Sequence, residues 1–335
     1  MEERDVDRAD TVQGAVGVEI TDEQFLVAVV EPEGRIVSEP VTRSLDRDRE
    51  PTAFLRECVV PAVELALRER PERVVGLGVA LPGTLRPEEG LCLFSTALGW
   101  ENVAVAETLS NALKMPVSLV NDIRANYDGE RVYGAGQGID NLFCLTAGRG
   151  IEGALGVRGQ LYEGDTDSAG EIGHLTVELD GLACACGNQG CLQTVASTPA
   201  VARMAAEAIR LGAQSALSEW ASETNPITCD LVERAALEGD ALALKVFDAI
   251  GRYLGLALSS VITLVNPRRI VIGGPLATSF DLFAPALLEE VRKRARMVPR
   301  DYTEIVATPL KQQATLLGAA WRALEARRGG AVTPS

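Results

Sequence analysis

The chain has 335 residues, 47% of them hydrophobic and 24% charged, which suits about two domains of roughly 150 residues around a sizeable core and is unlike a disordered chain. That length excludes a peptide hormone, a disulfide mini-protein and a single small binding module. With 32 basic against 47 acidic residues the net charge is −15, a field that repels nucleic acid, and no basic patch offsets it. Met1 to Asp10 is mostly charged and lacks an apolar signal core, and no uninterrupted apolar run approaches the roughly 20 residues that span a bilayer. The expectation is a cytoplasmic protein with no membrane partner and with reduced thiols, in keeping with an odd count of seven cysteines. A single histidine stands beside them.

In chain order, Gly17 to Ile20, Phe25 to Val30 and Arg35 to Val37 are short apolar runs between turn formers, the pattern of a β-meander. A helix is predicted over Pro51 to Glu69, kinked at Pro61, followed by Val74 to Ala80, a continuous apolar run suited to a strand buried on both faces and closed by Pro82 and Gly83. A helix over Val105 to Lys114 precedes a strand over Pro116 to Val120, and another helix begins just after Asp122. The β-α-β-α order predicts an α/β fold with a largely parallel sheet. In the second half, Leu142 to Thr146 and Ala154 to Val157 are strands about a glycine-rich turn. Helices follow from Pro199 and over Leu242 to Val265, then a strand at Arg269 to Ile272 closed by Gly273 and Gly274, and a terminal helix over Ala314 to Ala326. No linker, low-complexity tract or sequence repeat interrupts this order, and the ends, 1–13 and 329–335, are expected to be flexible.

Three groups of residues could carry chemistry. His174 with Cys184, Cys186 and Cys191 supplies three thiolates and an imidazole, a closed tetrahedral set for a structural zinc ion, with Gly187 and Gly190 allowing the tight turns that converge the sulfurs. Gly148-Arg149-Gly150-Ile151-Glu152-Gly153 satisfies G-x-G-x-x-G, but the segment after it reads as a strand and not the helix that a dinucleotide site needs. It is therefore expected to be a β-hairpin, either presenting N–H groups to phosphate or serving as a simple tight turn. Asn121-Asp122 ends an apolar strand, where Asp122 could accept a proton from a substrate hydroxyl or cap the next helix. Cys58, Cys92, Cys144 and Cys229 lie in mainly apolar surroundings and read as core.

Together these residues resemble the ROK family of bacterial sugar kinases and sugar-responsive repressors. The resemblance runs from about Gly17 to Ala320 and is most specific at Ala169-Gly170-Glu171-Ile172-Gly173-His174 followed by Cys184 to Cys191. Supporting matches are Pro82-Gly83, Gly99-Trp100 with Asn102, Asn121-Asp122, Gly148 to Gly153, Asn266-Pro267 with Gly273-Gly274, and Leu317 to Ala320. It implies an actin-like (ribonuclease H-like) ATPase fold of two α/β lobes with a zinc loop and sugar in the cleft: an N-terminal lobe over 14–122 completed by a helix over 314–328, and a larger lobe over 123–313. It implies Asp122 as the base that activates a sugar hydroxyl, and Gly83, Asn102, Asn121, Glu171, His174 and position 193 as further sugar contacts. His174 could serve zinc with one ring nitrogen and sugar with the other. Gly148, Gly150, Gly153, Gly273 and Gly274 would hold ATP, with Mg, if the chain is a kinase. The family also suggests a homodimer or larger assembly.

Two departures shape the functional expectation. Where family kinases carry Asp-x-Gly-Gly-Thr to cradle ATP phosphates, this chain has Glu19, Ile20, Thr21, Asp22 and Glu23. A carboxylate about 5 Å from phosphate at an effective dielectric of about 20 repels it by roughly 3 kcal/mol; alternatively these are ordinary solvated turn residues and nucleotide is held elsewhere. Arg149, Glu152 and Ala154 also stand where kinases favour Thr or Gly, closer to the repressor branch. At position 193 the family's sugar-binding glutamate is Gln193, which either still holds a hydroxyl or packs beside the zinc loop. The expected function is a repressor-like sugar sensor, with an ATP-dependent hexose or amino-sugar kinase as the alternative. Only Met1 to Gly14 precedes the first strand, with no room for the helix-turn-helix of family repressors, which argues against direct DNA binding.

Overall fold

The computed structural model describes residues 14–68, 74–222, 224–299 and 302–328; the ends expected to be flexible, 1–13 and 329–335, and the last residue of the helix predicted to Glu69 lie outside them. The chain divides into two compact units, one formed by residues 1–134 with 313–335 and the other by 135–312.

In the first unit, β1 (Gly14–Ile20), β2 (Gln24–Val30) and β3 (Val41–Ser44) form an antiparallel meander. The third predicted strand, Arg35 to Val37, is reduced to one bridge between Val30 and Ile36, and the ladder is taken by β3 instead. Helical residues follow as α1 (Pro51–Phe54), a π-turn at Leu55–Val59 and α2 (Val60–Leu67). The expected irregularity at Pro61 is this π-turn: Pro61 has no N–H to give, and the Val60 N–H reaches back to Leu55 O.

β4 (Val74–Leu81) then runs parallel to β1. A separate small antiparallel sheet, β5 (Thr84–Arg86), β6 (Leu91–Ser95) and β7 (Trp100–Ala104), precedes α3 (Val105–Leu113), β8 (Val117–Asn121) and α4 (Asp122–Tyr133). The main sheet has the order β3-β2-β1-β4-β8. Only its last three strands are parallel, so the largely parallel sheet expected from the element order is a mixed one.

The second unit contains β9 (Leu142–Ala147), β10 (Ile151–Val157) and β11 (Gln160–Tyr162) as a meander. There follow α5 (Leu192–Ala196), α6 (Thr198–Arg210), α7 (Leu217–Trp220), α8 (Cys229–Leu237), α9 (Ala241–Val265), β12 (Arg269–Gly273), α10 (Phe280–Arg294) and β13 (Glu304–Ala307). Its sheet order, β11-β10-β9-β12-β13, again sets an antiparallel meander beside parallel strands. The topology is thus used twice without a sequence repeat. By length and composition α9 could cross a membrane. Gly251 and Gly255 lie on the face that meets α10, where added Cβ atoms would stand 2.3 Å from Phe283 O and 2.5 Å from Leu287 O.

α11 (Ala314–Arg328) returns to the first unit and packs on α4, β1 and β4. Contact at backbone distance requires glycine: a Cβ on Gly318 would lie 1.7 Å from Ala125 O, one on Gly129 2.0 Å from Ala314 O, and one on Gly78 1.8 Å from Ala319 O. This explains the Leu317 to Ala320 signature. It also places α4 in the first unit, whose border falls after Gly134 and not at the expected 122. Because the clash at Gly318 is with backbone, Gly318→Ala is expected to destabilise the protein by about 3 kcal/mol, read as a lowered urea midpoint with unchanged slope; a wild-type midpoint would contradict this packing.

Candidate functional site

In the first unit the parallel strands deliver their carboxyl ends side by side, Glu19 opposite Ala80 and Leu81 opposite Asn121. Asn121 is the N-cap of α4: its Oδ1 accepts from Ile123 N at 3.2 Å and Arg124 N at 3.4 Å, while its Nδ2 donates to Gly83 O at 3.2 Å. The cap is therefore Asn121, and Asp122 is the first residue of the helix, with Oδ1 accepting from Ile123 N at 3.0 Å. Gly83 has φ +124°, and a Cβ there would meet Phe94 O at 2.4 Å. These three residues are brought together. Asn102 lies on the small sheet, exposed, at φ 52°, a left-handed conformation that asparagine tolerates. Beside it Trp100 is buried and meets Phe54 edge-on at 6.0 Å.

The turn between β1 and β2 uses its own amide donors. Thr21 N donates to Gln24 O at 2.8 Å, and the Thr21 hydroxyl accepts from Glu23 N at 3.3 Å and Gln24 N at 3.1 Å. Arg47 donates to Asp22 O at 2.6 Å and lies 3.4 Å from the Asp22 carboxylate. A turn that cradles phosphate must aim N–H groups outward; here the hydroxyl of Thr21 takes two of them.

Glu19 corrects the charge reading of this segment. Its carboxyl is pushed up to about 8 by burial first and by the nearby Asp122 carboxylate second, with a Thr315 hydrogen bond pulling the other way. At neutral pH it is mostly protonated, so it is not one of the charges that repel phosphate. The carboxyl is ordinarily near 4.5, so its proton is held more tightly in the folded state. Its contribution is fully present below about 4.5 and is lost as pH rises to about 8. Glu19→Gln should therefore gain in melting temperature over wild type progressively from pH 5 to pH 8; a difference that stays constant with pH would show that Glu19 titrates normally.

In the second unit the Ala169 to His174 segment lies against β10 at backbone distance. Added Cβ atoms would stand 2.0 Å from Gly153 O at Gly170 (φ +99°) and 1.9 Å from Ile151 O at Gly173. Gly153 is tied to the same contact, facing Phe143 and Gly170 O. The G-x-G-x-x-G segment is the turn of the β9–β10 hairpin, with Ala147 opposite Ile151, and a strand follows as expected. Gly148 and Gly150 flank the exposed Arg149 at its tip. Gly273 ends β12, parallel to β9, and Gly274 has φ +79° with Ala147 O 2.7 Å from its added Cβ. The glycines thus collect at the carboxyl edge of β9 and β12, while Gly153 is a packing position.

His174 closes a short 3₁₀ turn, Ile172–His174. Its Nδ1 lies 3.8 Å from Cys184 Sγ, Cys186 and Cys191 sulfurs are 3.8 Å apart, and all four donor atoms lie within 4.8 Å of one another. A tetrahedral ion with metal–sulfur bonds of about 2.3 Å and metal–nitrogen bonds of about 2.0 Å needs sulfur–sulfur edges of about 3.8 Å and sulfur–nitrogen edges of about 3.5 Å. The four residues fit such an ion. Gly187 (φ +91°) and Gly190 (φ +70°) make the reversals, and Gly190 sits where a Cβ would be 1.6 Å from Glu178 O.

Burial tends to raise the Cys184 thiol, but hydrogen bonds from the Cys186 backbone and from Cys186, Gln193 and His174 side chains outweigh it and bring it down to about 6. Burial and the neighbouring sulfurs push Cys191 up. The other ring nitrogen of His174, Nε2, faces Glu171 Oε2 at 3.8 Å. Gln193 turns to the cluster, its Nε2 donating to Cys184 Sγ at 3.3 Å. Asn188 Nδ2 reaches Cys191 Sγ at 3.5 Å, a contact that sequence reasoning missed because asparagine in a glycine loop looks like turn chemistry.

Cys92 and Cys144 are buried and Cys58 and Cys229 partly so, and none of the seven cysteines, all among the described residues, is in a disulfide. Arg268 and Arg269 pair with Glu304.

The sequence model of the ROK family matches residues 15–326, and the chain belongs to that family. The glucokinase of Halalkalibacterium halodurans is 33% identical over 74% of this chain and 76% of its own length. A ROK family transcriptional regulator homologous to the Escherichia coli Mlc protein superposes with a TM-score of 0.82 at 27% identity, covering 94% of this chain and 78% of that one. A ROK glucokinase from Streptomyces griseus, in complex with glucose and AMPPNP, gives 0.79 at 29% identity over 93% and 99%. The fold is the actin-like two-lobed α/β fold of the ROK sugar kinases. The relatives include kinases and repressors alike, and the function they share is related to sugars.

Proposed function

We propose that this chain is a sugar sensor: a ROK protein that binds sugar on a zinc-supported site and does not transfer phosphate. The observation that carries this reading is the β1–β2 turn, where the Thr21 hydroxyl occupies the Glu23 and Gln24 N–H groups. Asp22 and Glu23 add carboxylates to the same turn, while the Glu19 carboxyl is mostly protonated at neutral pH. Zinc, held by Cys184, Cys186, Cys191 and His174 Nδ1, would be structural, since four protein donors leave no open position. It fixes the ring so that Nε2, next to Glu171, can meet a sugar hydroxyl. Asn102, Asp122, Glu171 and His174 are the groups we assign to sugar. Gly83 and Asn121 build the backbone around Asp122. We also assign this protein to the cytoplasm as a homo-oligomer.

A second reading, an ATP-dependent hexose kinase, is favoured by Asp122 standing beyond the N-cap at a strand end and by the glucokinase relatives. There the Asp122 carboxylate would accept the hydroxyl proton as the sugar oxygen bonds to the γ-phosphorus and the bond to ADP breaks, with Mg and the glycines at 148, 150, 273 and 274 serving ATP. Thermal unfolding with ligands separates the two. The sensor is stabilised by at least one hexose or amino sugar and is not shifted by Mg·ATP or AMPPNP; a nucleotide-dependent rise in melting temperature would overturn it.

A further inference from the structure

We infer that Gln193 is a positioning residue of the metal centre, a neutral N–H donor to the Cys184 sulfur that helps the site retain its ion. The inference rests on the zinc reading above and adds a residue outside the four ligands. Gln193 follows Cys191 by two positions in the first turn of α5, so the helix that starts at one ligand carries it toward another. Its Nε2 lies 3.3 Å from Cys184 Sγ. Its Oε1 lies 3.5 Å from the point where a Cβ on Gly150 would stand, so the side chain reaches from the cluster to the hairpin tip.

Three thiolates on one divalent ion leave a net negative site, and a partly buried amide donor reduces the charge each sulfur must carry. A carboxylate of the same length has no proton to give there and would set a fourth negative group against the sulfurs. The departure at position 193 is therefore tied to the metal and not to sugar alone. Asn188 does the same for Cys191 at 3.5 Å, so two of the three sulfurs carry an amide donor.

The test compares full-length wild type with Gln193→Glu and with Gln193→Met, which has similar volume and no donor. Zinc content is measured first, then the rate of zinc transfer to a chromogenic chelator, then the thiolate-to-metal charge-transfer band of the cobalt(II)-substituted proteins. Both variants are expected to release zinc about 10-fold faster or more, Glu faster than Met, with a shifted band. Release within about twofold of wild type and an unmoved band in both would overturn the inference while leaving zinc in place. Wild type purified without stoichiometric zinc would instead overturn the zinc reading, and this role with it.

Discussion

Cys191→Ser is expected to strip the chain of zinc and to abolish sugar-dependent stabilisation. Cys191 is fully buried, its sulfur 3.8 Å from that of Cys186, and it is also the N-cap of α5, so losing it opens the tetrahedron on its inner side. The loop is held by backbone bridges such as Thr176 to Cys191 and Ala183 to Gln189 and adds little apolar burial of its own, Leu179 being 89% and Leu182 44% exposed. Structural zinc supplies about 10–16 kcal/mol in small zinc domains, and here that energy would order the His174 ring. Without it the ring loses its fixed tautomer and direction, and sugar affinity should fall at least about 10-fold. Metal analysis and thermal unfolding with sugar check this. Because a buried substitution can disturb folding, wild type stripped by chelator should behave likewise and recover on adding zinc; sugar binding that persists in the stripped protein would detach the metal from function.

Local signals made much of this legible in the sequence. Four possible metal donors within eighteen residues announced the grouping of His174 with Cys184, Cys186 and Cys191, and apolar periodicity placed β4, β8, α9 and α11 within a residue or two. The short sheet of β5 to β7 escaped because strands of three to five residues, half exposed, carry too little alternation. The glycine requirements at Gly170, Gly173 and Gly318 are backbone contacts across the fold and leave no pattern beside the residue itself.

Electrostatics misled for the same reason. Glu19 reads as a surface charge until the fold buries it and brings Asp122, more than a hundred positions later, beside it. Thr21 reads as a neutral turn residue, yet its hydroxyl decides which N–H groups remain for a ligand. Gln193 reads either as a sugar contact or as packing beside the zinc loop, and only the fold sets its amide against the Cys184 sulfur.

The second large effect expected is the absence of phosphoryl transfer. Removing one preorganised donor to a developing oxyanion costs about 10²–10³ in rate. Two N–H groups of the turn are taken by Thr21, and the adjacent Asp22 adds a carboxylate beside Arg47. Together these place turnover about 10⁴-fold or more below the 1–100 s⁻¹ usual for kinases.

The most direct measurement is ADP release by the zinc-loaded protein with Mg·ATP over a panel of hexoses and amino sugars, run beside Asp122→Asn and beside thermal unfolding with the same sugars. The sensor account predicts stabilisation by a sugar and no ADP release above that of Asp122→Asn. Sugar-dependent ADP release by wild type that Asp122→Asn abolishes would contradict it and make the chain a kinase.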